Sequence, residues 1–169
     1  MSKPVDKIEF WKQRIDTAVS EHYAVYVANE PLWNRINQVH EKIIKQLIND
    51  TDKVLDAGCA YGRSSIFFNK EQYIGIDFSP DFIEIAKKKY PDKDFRVMNL
   101  KNIYLPDQKF DWAFCISMKK MIVDNCGEEE WAKMEKELKR VAKKVLILEY
   151  GEAEDSSDTE EKIGKYEIL

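Results

Sequence analysis

The run "VLDAGCAYGRSS", Val54 to Ser65, decides the reading of this chain. An apolar segment carries an acid, Asp56, directly into two glycines four apart, Gly58 and Gly62. Only six glycines occur in 169 residues, so two in one short loop call for a cause. Glycine lacks Cβ, and the backbone there can turn sharply and come close to whatever lies beside it. Two readings stand at this point: a tight strand-to-helix turn with no ligand, or a loop that a ligand approaches.

The flanking pattern says where that loop sits. From Asp52 onward, short apolar runs alternate with helical ones. "KVLDA" (Lys53–Ala57), "YIGID" (Tyr73–Asp77), "DFRVM" (Asp94–Met98), "FDWAFCI" (Phe110–Ile116) and "KVLILEY" (Lys144–Tyr150) read as strands. A helix is expected after Tyr61. Another begins after Ser79, with Ser79 as N-cap and Pro80 in the first turn. A third runs from Glu128 to about Lys143, with Trp131, Met134, Leu138 and Val141 on one stripe, acids at its start and bases at its end. Alternation of this kind predicts a mostly parallel sheet covered on both faces. In such sheets ligands bind outside the carboxyl ends of the strands, at the switch point. The Asp56–Gly62 loop falls at such an end.

Before Asp52 the chain reads as helical. Ile8, Trp11, Ile15 and Ala18 share one face of a first helix; Trp33, Ile36, His40, Ile43 and Leu47 share one face of a second, with Pro31 near its start. The connector between them, "HYAVYVANE", is aromatic. The acidic piece "GEAEDSSDTEEK", Gly151 to Lys162, reads as a solvated loop.

Composition narrows the class. With 44% hydrophobic and 34% charged residues the chain can bury a core as one domain. No apolar run approaches the ~20 residues of a membrane span, and the first residues lack the apolar stretch of a secretion signal. Cys59, Cys115 and Cys126 are an odd count without metal spacing, as expected of reduced thiols in the cytoplasm, with no metal site. Net charge is 27 − 31 = −4, which argues against a nucleic-acid surface.

Two details sharpen the loop. The next strand ends in Asp77, nineteen residues after Gly58, where a carboxylate can accept hydrogen bonds from both hydroxyls of a ribose. The competing reading of Asp77 is a turn acid, since "DFSP" is good turn chemistry. The three-glycine dinucleotide fingerprint is not met, and no Gly-Lys-Ser/Thr follows, so pyrophosphate and Walker loops are disfavoured.

Taken together, the motifs resemble the class I S-adenosyl-L-methionine-dependent methyltransferases. "VLDAGCAYG" is similar to their first motif, "YIGIDFSPDFIEIAKKKYP" to their second, "MNLKNIYLPDQKFDWAFC" to their third and fourth, and "ELKRVAKKVLILEY" to their last helix and fifth strand. The resemblance covers about Asp52 to Tyr150. It implies an α/β three-layer sandwich on a twisted, mostly parallel sheet of order 3-2-1-4-5. The chain then divides into a helical lid (1–51), a cofactor-binding core (52–150) and an acidic loop with a short terminal strand (151–169). It implies a methyl donor, S-adenosyl-L-methionine, held by Asp56 and Gly58, Cys59, Ala60, Tyr61 and Gly62 at its methionine part. Asp77 would take the ribose, Phe78 and Ser79 would lie beside the adenine, Asn99 and Leu100 would meet its edge, and Ile116 and Ser117 would line the pocket.

Some positions depart from the family. Ala60 replaces the middle glycine of the commonest loop, and Asn99 replaces an acid while keeping a carbonyl acceptor. Only nineteen residues follow Tyr150, where the family continues with a helix and a hairpin. "KYEIL" at Lys165–Leu169 is expected to return antiparallel and cover the apolar fifth strand, a second protomer being the alternative cover.

Transfer from a sulfonium requires alignment and exclusion of water, with a base needed only for a protonated acceptor. Acceptor-side candidates are Tyr23, Tyr26 and Trp33 from the lid, with His22 beside them, and Lys119, Lys120, Glu149 and Tyr150 at strand ends. Ordinary packing or solvation is the competing reading for each. His40, Cys115 and Cys59 read as packing residues. The sequence "CISMKK" lacks the motif of amino-methylating DNA enzymes, and the first motif is less glycine-rich than in polyamine synthases. The expected activity is methylation of a small molecule or exposed side chain by a monomer or homodimer. A non-catalytic cofactor-binding subunit and a cofactor-cleaving enzyme are the alternatives.

Overall fold

In a computed structural model, which describes Gln13 and residues 30–149 and 159–169, six strands form one sheet of order β3-β2-β1-β4-β5-β6. They are β1 (Val54–Ala57), β2 (Tyr73–Asp77), β3 (Asp94–Val97), β4 (Phe110–Ile116), β5 (Ala142–Glu149) and β6 (Lys165–Ile168). The first five run parallel and β6 is antiparallel to β5. The helices are α1 (Glu30–Leu47), α2 (Pro80–Lys89), α3 (Lys119–Cys126), α4 (Glu128–Val141) and the short α5 (Glu160–Ile163). The first helix, the connector with His22, Tyr23 and Tyr26, and Tyr150 to Asp158 lie outside the described residues.

The period-2 alternation of strand side chains separates two cores. Val54, Tyr73, Trp112, Phe114, Leu146 and Leu148 pack with Ile36, Ile43 and Ile44 of α1 and Ile83 and Ala86 of α2. Leu55, Ala57, Ala113, Cys115, Val145 and Ile147 pack with Ile122 of α3 and Trp131, Met134, Leu138 and Val141 of α4. Three layers result. Helix α1, which the sequence reading put in a lid, buries Leu32, Ile36, Val39, His40, Ile43 and Ile44 and is itself one of these layers.

Elsewhere the structure departs from expectation in ways with local causes. The segment after Tyr61 forms only a five-residue 3-10 helix, Arg63–Phe67. Its two serines and the following aromatics are weak helix formers, and Phe68 turns to extended backbone to stack its ring on Tyr73. Helix α3 was not foreseen, because "KKMIVDNC" carries a single buried side chain, Ile122, and no periodic stripe. The acidic stretch is not wholly loop: Thr159 caps α5, Ile163 is fully buried, and Glu160 pairs with Lys42. The return to β6 passes so close to α1 that a Cβ on Gly164 would meet Val39 at 2.5 Å.

The strand expectations held to within a residue or two, β5 beginning earlier, at Ala142. Ser79 caps α2 through Phe82 N–H at 3.4 Å. Strand β6 covers β5 in the register Leu148↔Tyr166, Leu146↔Ile168, as expected of "KYEIL". Among the described residues no helix is long and apolar enough to cross a membrane.

Candidate functional site

Because β1 to β5 are parallel, their carboxyl ends share one edge of the sheet. That edge brings together the Gly58–Gly62 loop, Asp77–Ser79, Asn99–Leu100, Ile116–Ser117, Lys119 and Glu149. The order reverses direction around β1, which has β2 on one side and β4 on the other, so the glycine loop opens at the switch point.

Backbone hydrogen bonds fix the loop. The N–H groups of Gly58 and Cys59 both donate to the Ile76 carbonyl, at 2.8 and 3.0 Å, and Gly62 N–H donates to the Cys59 carbonyl at 2.8 Å. Ala60 N–H donates to Asp77 Oδ2 at 3.0 Å, and Ser79 N–H donates to Asp77 Oδ1 at 2.9 Å. One carboxylate thus ties the loop after β1 to the turn after β2. The carboxylate, with about four lone-pair sites, keeps acceptor capacity for a further donor. The hydrogen bonds from Ala60 and Ser79 are those of the turn-acid reading of Asp77. Burial pushes its carboxyl up to about 6, against the three backbone N–H groups that favour the anion.

The two glycines do different work. Both have positive φ, +78° at Gly58 and +80° at Gly62. A Cβ on Gly62 would strike the Phe95 ring at 2.5 Å and meet Ala86 at 3.2 Å, so its bare face serves packing. The bare face of Gly58 is turned to the Met118 thioether, a flexible side chain at the start of α3. Of the two glycines, Gly58 is the one whose bare face meets a side chain able to move aside. Ala60 also sits at positive φ, +46°, as does Ser117 at +55°, so strained backbone flanks the site on two strands. Replacing Ala60 by glycine is expected to leave stability within about 1 kcal/mol, the relief of strain offsetting the added chain entropy. Urea unfolding measures it, and a larger loss would mean that the Ala60 methyl packs more than its surroundings suggest.

A buried polar group lies beneath the loop. Asp56 is almost fully buried and its Oδ2 accepts from Tyr73 Oη at 2.7 Å. Tyr73 reaches it across Gly75, where a Cβ would stand 2.7 Å from the hydroxyl. Burial raises Asp56 to about 7, opposed by the Tyr73 hydrogen bond and the Arg63 charge and reinforced by Asp77. Arg63 donates to Asn37 Oδ1 and lies over the Trp33 ring, 5.0 Å from its centroid. Trp33 in turn packs against the Tyr61–Phe82 cluster, as Ala60 does, which places it beside the loop. Sequence reasoning missed Tyr73, Gly75 and Arg63. A tyrosine two residues before a strand glycine was the available signal.

The other candidates scatter by role. Glu149 Oε1 accepts from Lys120 N–H at 3.1 Å, so it caps α3 from a distant strand, and burial raises its pKa. Lys119 pairs with Glu167 of β6 and lies 6.0 Å over Trp131. Asn99 Oδ1, the carbonyl set aside for a ligand, accepts from Lys101 N–H at 2.9 Å in a turn. Leu100 is buried with the α4 core, while Phe78, Ile116 and Ser117 are half-buried at the edge. Cys115 and Cys59 are buried, and burial raises both thiols, so neither is a nucleophile. Among the described residues no group of three or more His, Cys, Asp or Glu could hold a metal ion.

Comparison with known proteins agrees with this arrangement. The protein 235L of Invertebrate iridescent virus 6, named as a candidate methyltransferase, is 34% identical over 70 residues, covering 37% of this chain and 26% of that protein. A SAM-dependent methyltransferase structure from Methanosarcina mazei superposes with a TM-score of 0.56 at 24% identity, covering 64% of this chain and 57% of that one. A Pyrococcus horikoshii protein gives 0.58 at 21% identity, covering 78% and 66%. The chain thus spans about a quarter of the viral relative and somewhat over half of the Methanosarcina chain. A family model described as a methyltransferase domain matches residues 54–145, more than half of the chain and the whole span from β1 into β5. The chain belongs to the methyltransferase domain family.

Proposed function

We propose that this chain is an S-adenosyl-L-methionine-dependent methyltransferase whose acceptor is a small molecule or an exposed side chain. The observation that carries the reading is the family match over the segment that builds the switch-point edge. The residues there fit the donor. Gly58 offers a bare backbone face to a methionine chain, and the atoms nearest that face belong to the movable Met118 side chain. Asp77 offers a carboxylate with remaining acceptor capacity to the ribose. Phe78 and Leu100 would flank an adenine, with the Asn99 amide at its edge. Asp56, Cys59 to Gly62, Ser79, Ile116 and Ser117 would complete the lining.

When bound, the donor supplies an already electrophilic methyl group. The chain's part is orientation, which is worth up to roughly 7–11 kcal/mol in well-aligned intramolecular models. Trp33 from α1 is placed to bound the acceptor side; Tyr23 and Tyr26, outside the described residues, are proposed as further acceptor contacts. Lys119 and Glu149, engaged with Glu167 and α3, serve the acceptor by holding the β4–α3 corner in place. Asp56, whose carboxyl burial raises to about 7, is the proposed proton acceptor beneath the loop for a methyl acceptor that must lose a proton.

Two measurements test the reading together. Calorimetry with S-adenosylhomocysteine is expected to show saturable binding. Incubation with methyl-labelled donor and fractionated small-molecule and peptide pools is expected to yield S-adenosylhomocysteine plus a labelled acceptor. Binding without any product would favour a non-catalytic subunit, thioadenosine-type fragments a cofactor-cleaving enzyme, and absence of binding would overturn the proposal.

A further inference from the structure

The sheet has two outer edges, and they are finished differently. On β3, Asp94 and Arg96 close on one another in a fork, with contacts of 2.6 to 3.2 Å, so the edge carries its own neutralised charges. On β6, among the described residues, no further strand follows. Val145 and Leu169 exchange both backbone hydrogen bonds, at 3.0 and 2.9 Å. Alternation in an antiparallel ladder then turns the N–H and C=O of Leu169, Glu167 and Lys165 toward β5, and those of Tyr166 and Ile168 outward. The same two residues carry large apolar side chains that remain 51% and 46% exposed. Paired strands protect such groups, and natural edges rarely leave them bare.

The sequence of this edge is complementary to itself. Lys165 makes no ion pair among the described residues, and Glu167, two positions on and on the same face, uses Oε1 for Lys119 and keeps Oε2. Two copies of β6 meeting antiparallel about a two-fold axis must pair outward-facing residues with one another. With Tyr166 opposite Tyr166 of the partner subunit, Lys165 stands across from Glu167 of the partner subunit, and the reciprocal pair forms by symmetry. The next register with the same hydrogen-bond phase sets Glu167 opposite Glu167 of the partner subunit, and like charges directly opposite are destabilising. Charge therefore selects one register.

We propose that β6 is a homodimerisation edge, joining two six-stranded sheets through Tyr166–Ile168 in the register that crosses Lys165 with Glu167 of the partner subunit. A four-residue strand pair is a small interface, so the dimer belongs to the transient class. Since Glu167 also holds Lys119 at the head of α3, the interface adjoins the strand ends where the candidate site lies.

Sedimentation velocity of the full chain across about 1 µM to 1 mM is the test, that range spanning weak association. The wild type is expected to pass from monomer to dimer. Lys165→Glu and Glu167→Lys are each expected to weaken association roughly tenfold or more through two like-charge pairs. The double exchange, Lys165→Glu with Glu167→Lys, restores it. Loss of the Lys119 pair is common to the Glu167 single and the double variants, so recovery in the double reports only the contact between copies. Tyr166→Pro removes an outward N–H that β5 does not use, and it is expected to stay monomeric with the sheet intact. A wild type that is monomeric throughout, a dimer indifferent to Lys165→Glu, or a double exchange without recovery each overturns the proposal.

Discussion

Replacing Asp77 by alanine is expected to lower affinity for S-adenosylhomocysteine by about 10- to 100-fold, corresponding to loss of a charged acceptor of two hydroxyls. The same change leaves the N–H groups of Ala60 and Ser79 without their acceptor in a buried turn. Each orphaned donor costs about 1–3 kcal/mol. The variant is therefore expected to lose stability as well as affinity, and the two must be separated. Asp77→Asn removes the charge but keeps only one of the two acceptors, so affinity and unfolding free energy measured on both variants separate the two effects. Binding should also weaken as pH falls through about 6, where the carboxyl takes up its proton and one oxygen becomes a donor. Calorimetry on folded protein, checked by circular dichroism, decides it. Unchanged affinity in folded Asp77→Ala would remove this residue from the ligand site.

His40→Leu is expected to make the protein more stable in acid, by about 2 kcal/mol at pH 5 relative to its effect at pH 8. The imidazole is fully buried in α1, and neither ring nitrogen has a hydrogen-bond partner. Burial, helped by the Arg63 charge, pushes its pKa from 6.5 down to about 3 against an opposing pull from the Glu149 backbone. Below pH 6.5 the unfolded chain takes up a proton that the folded chain refuses. Stability from this group is present above 6.5 and lost as pH falls. Asp56 and Asp77 act in the opposite sense. Their folded carboxyls, at about 7 and about 6, hold protons that the unfolded chain has already released above 3.8. Stability from them is present in acid and lost as pH rises through those values. In the wild type the histidine offsets one of the two aspartates; in the leucine variant that offset is gone. Urea unfolding at pH 5 and pH 8 measures the difference, and an equal effect at both would mean that His40 is protonated or hydrogen-bonded in the fold.

What the sequence determined by itself was whatever depends on neighbours along the chain. Strand periodicity placed β1 to β5, because a parallel sheet covered on both faces demands continuous apolar runs. Ser79 and Pro80 placed the start of α2, because capping is a local hydrogen bond. The open side of β5 called for β6, and "KYEIL" supplied it. The acid–glycine loop and the acid ending β2 marked the edge that later proved to lie at the switch point. Tertiary structure decided everything that depends on what stands opposite. Gly58 and Gly62 look alike in sequence, yet one faces a movable thioether and the other the Phe95 ring. The first turn of helix α3 is met by Glu149, an acceptor from a strand 29 residues away. Trp33 and Arg63 meet only because α1 crosses the loop. The raised carboxyl of Asp56 follows from burial beside Tyr73, which reaches it across Gly75. Conformational preference is written residue by residue, whereas desolvation and contact are properties of the space between elements, and that space exists only once the layers have closed.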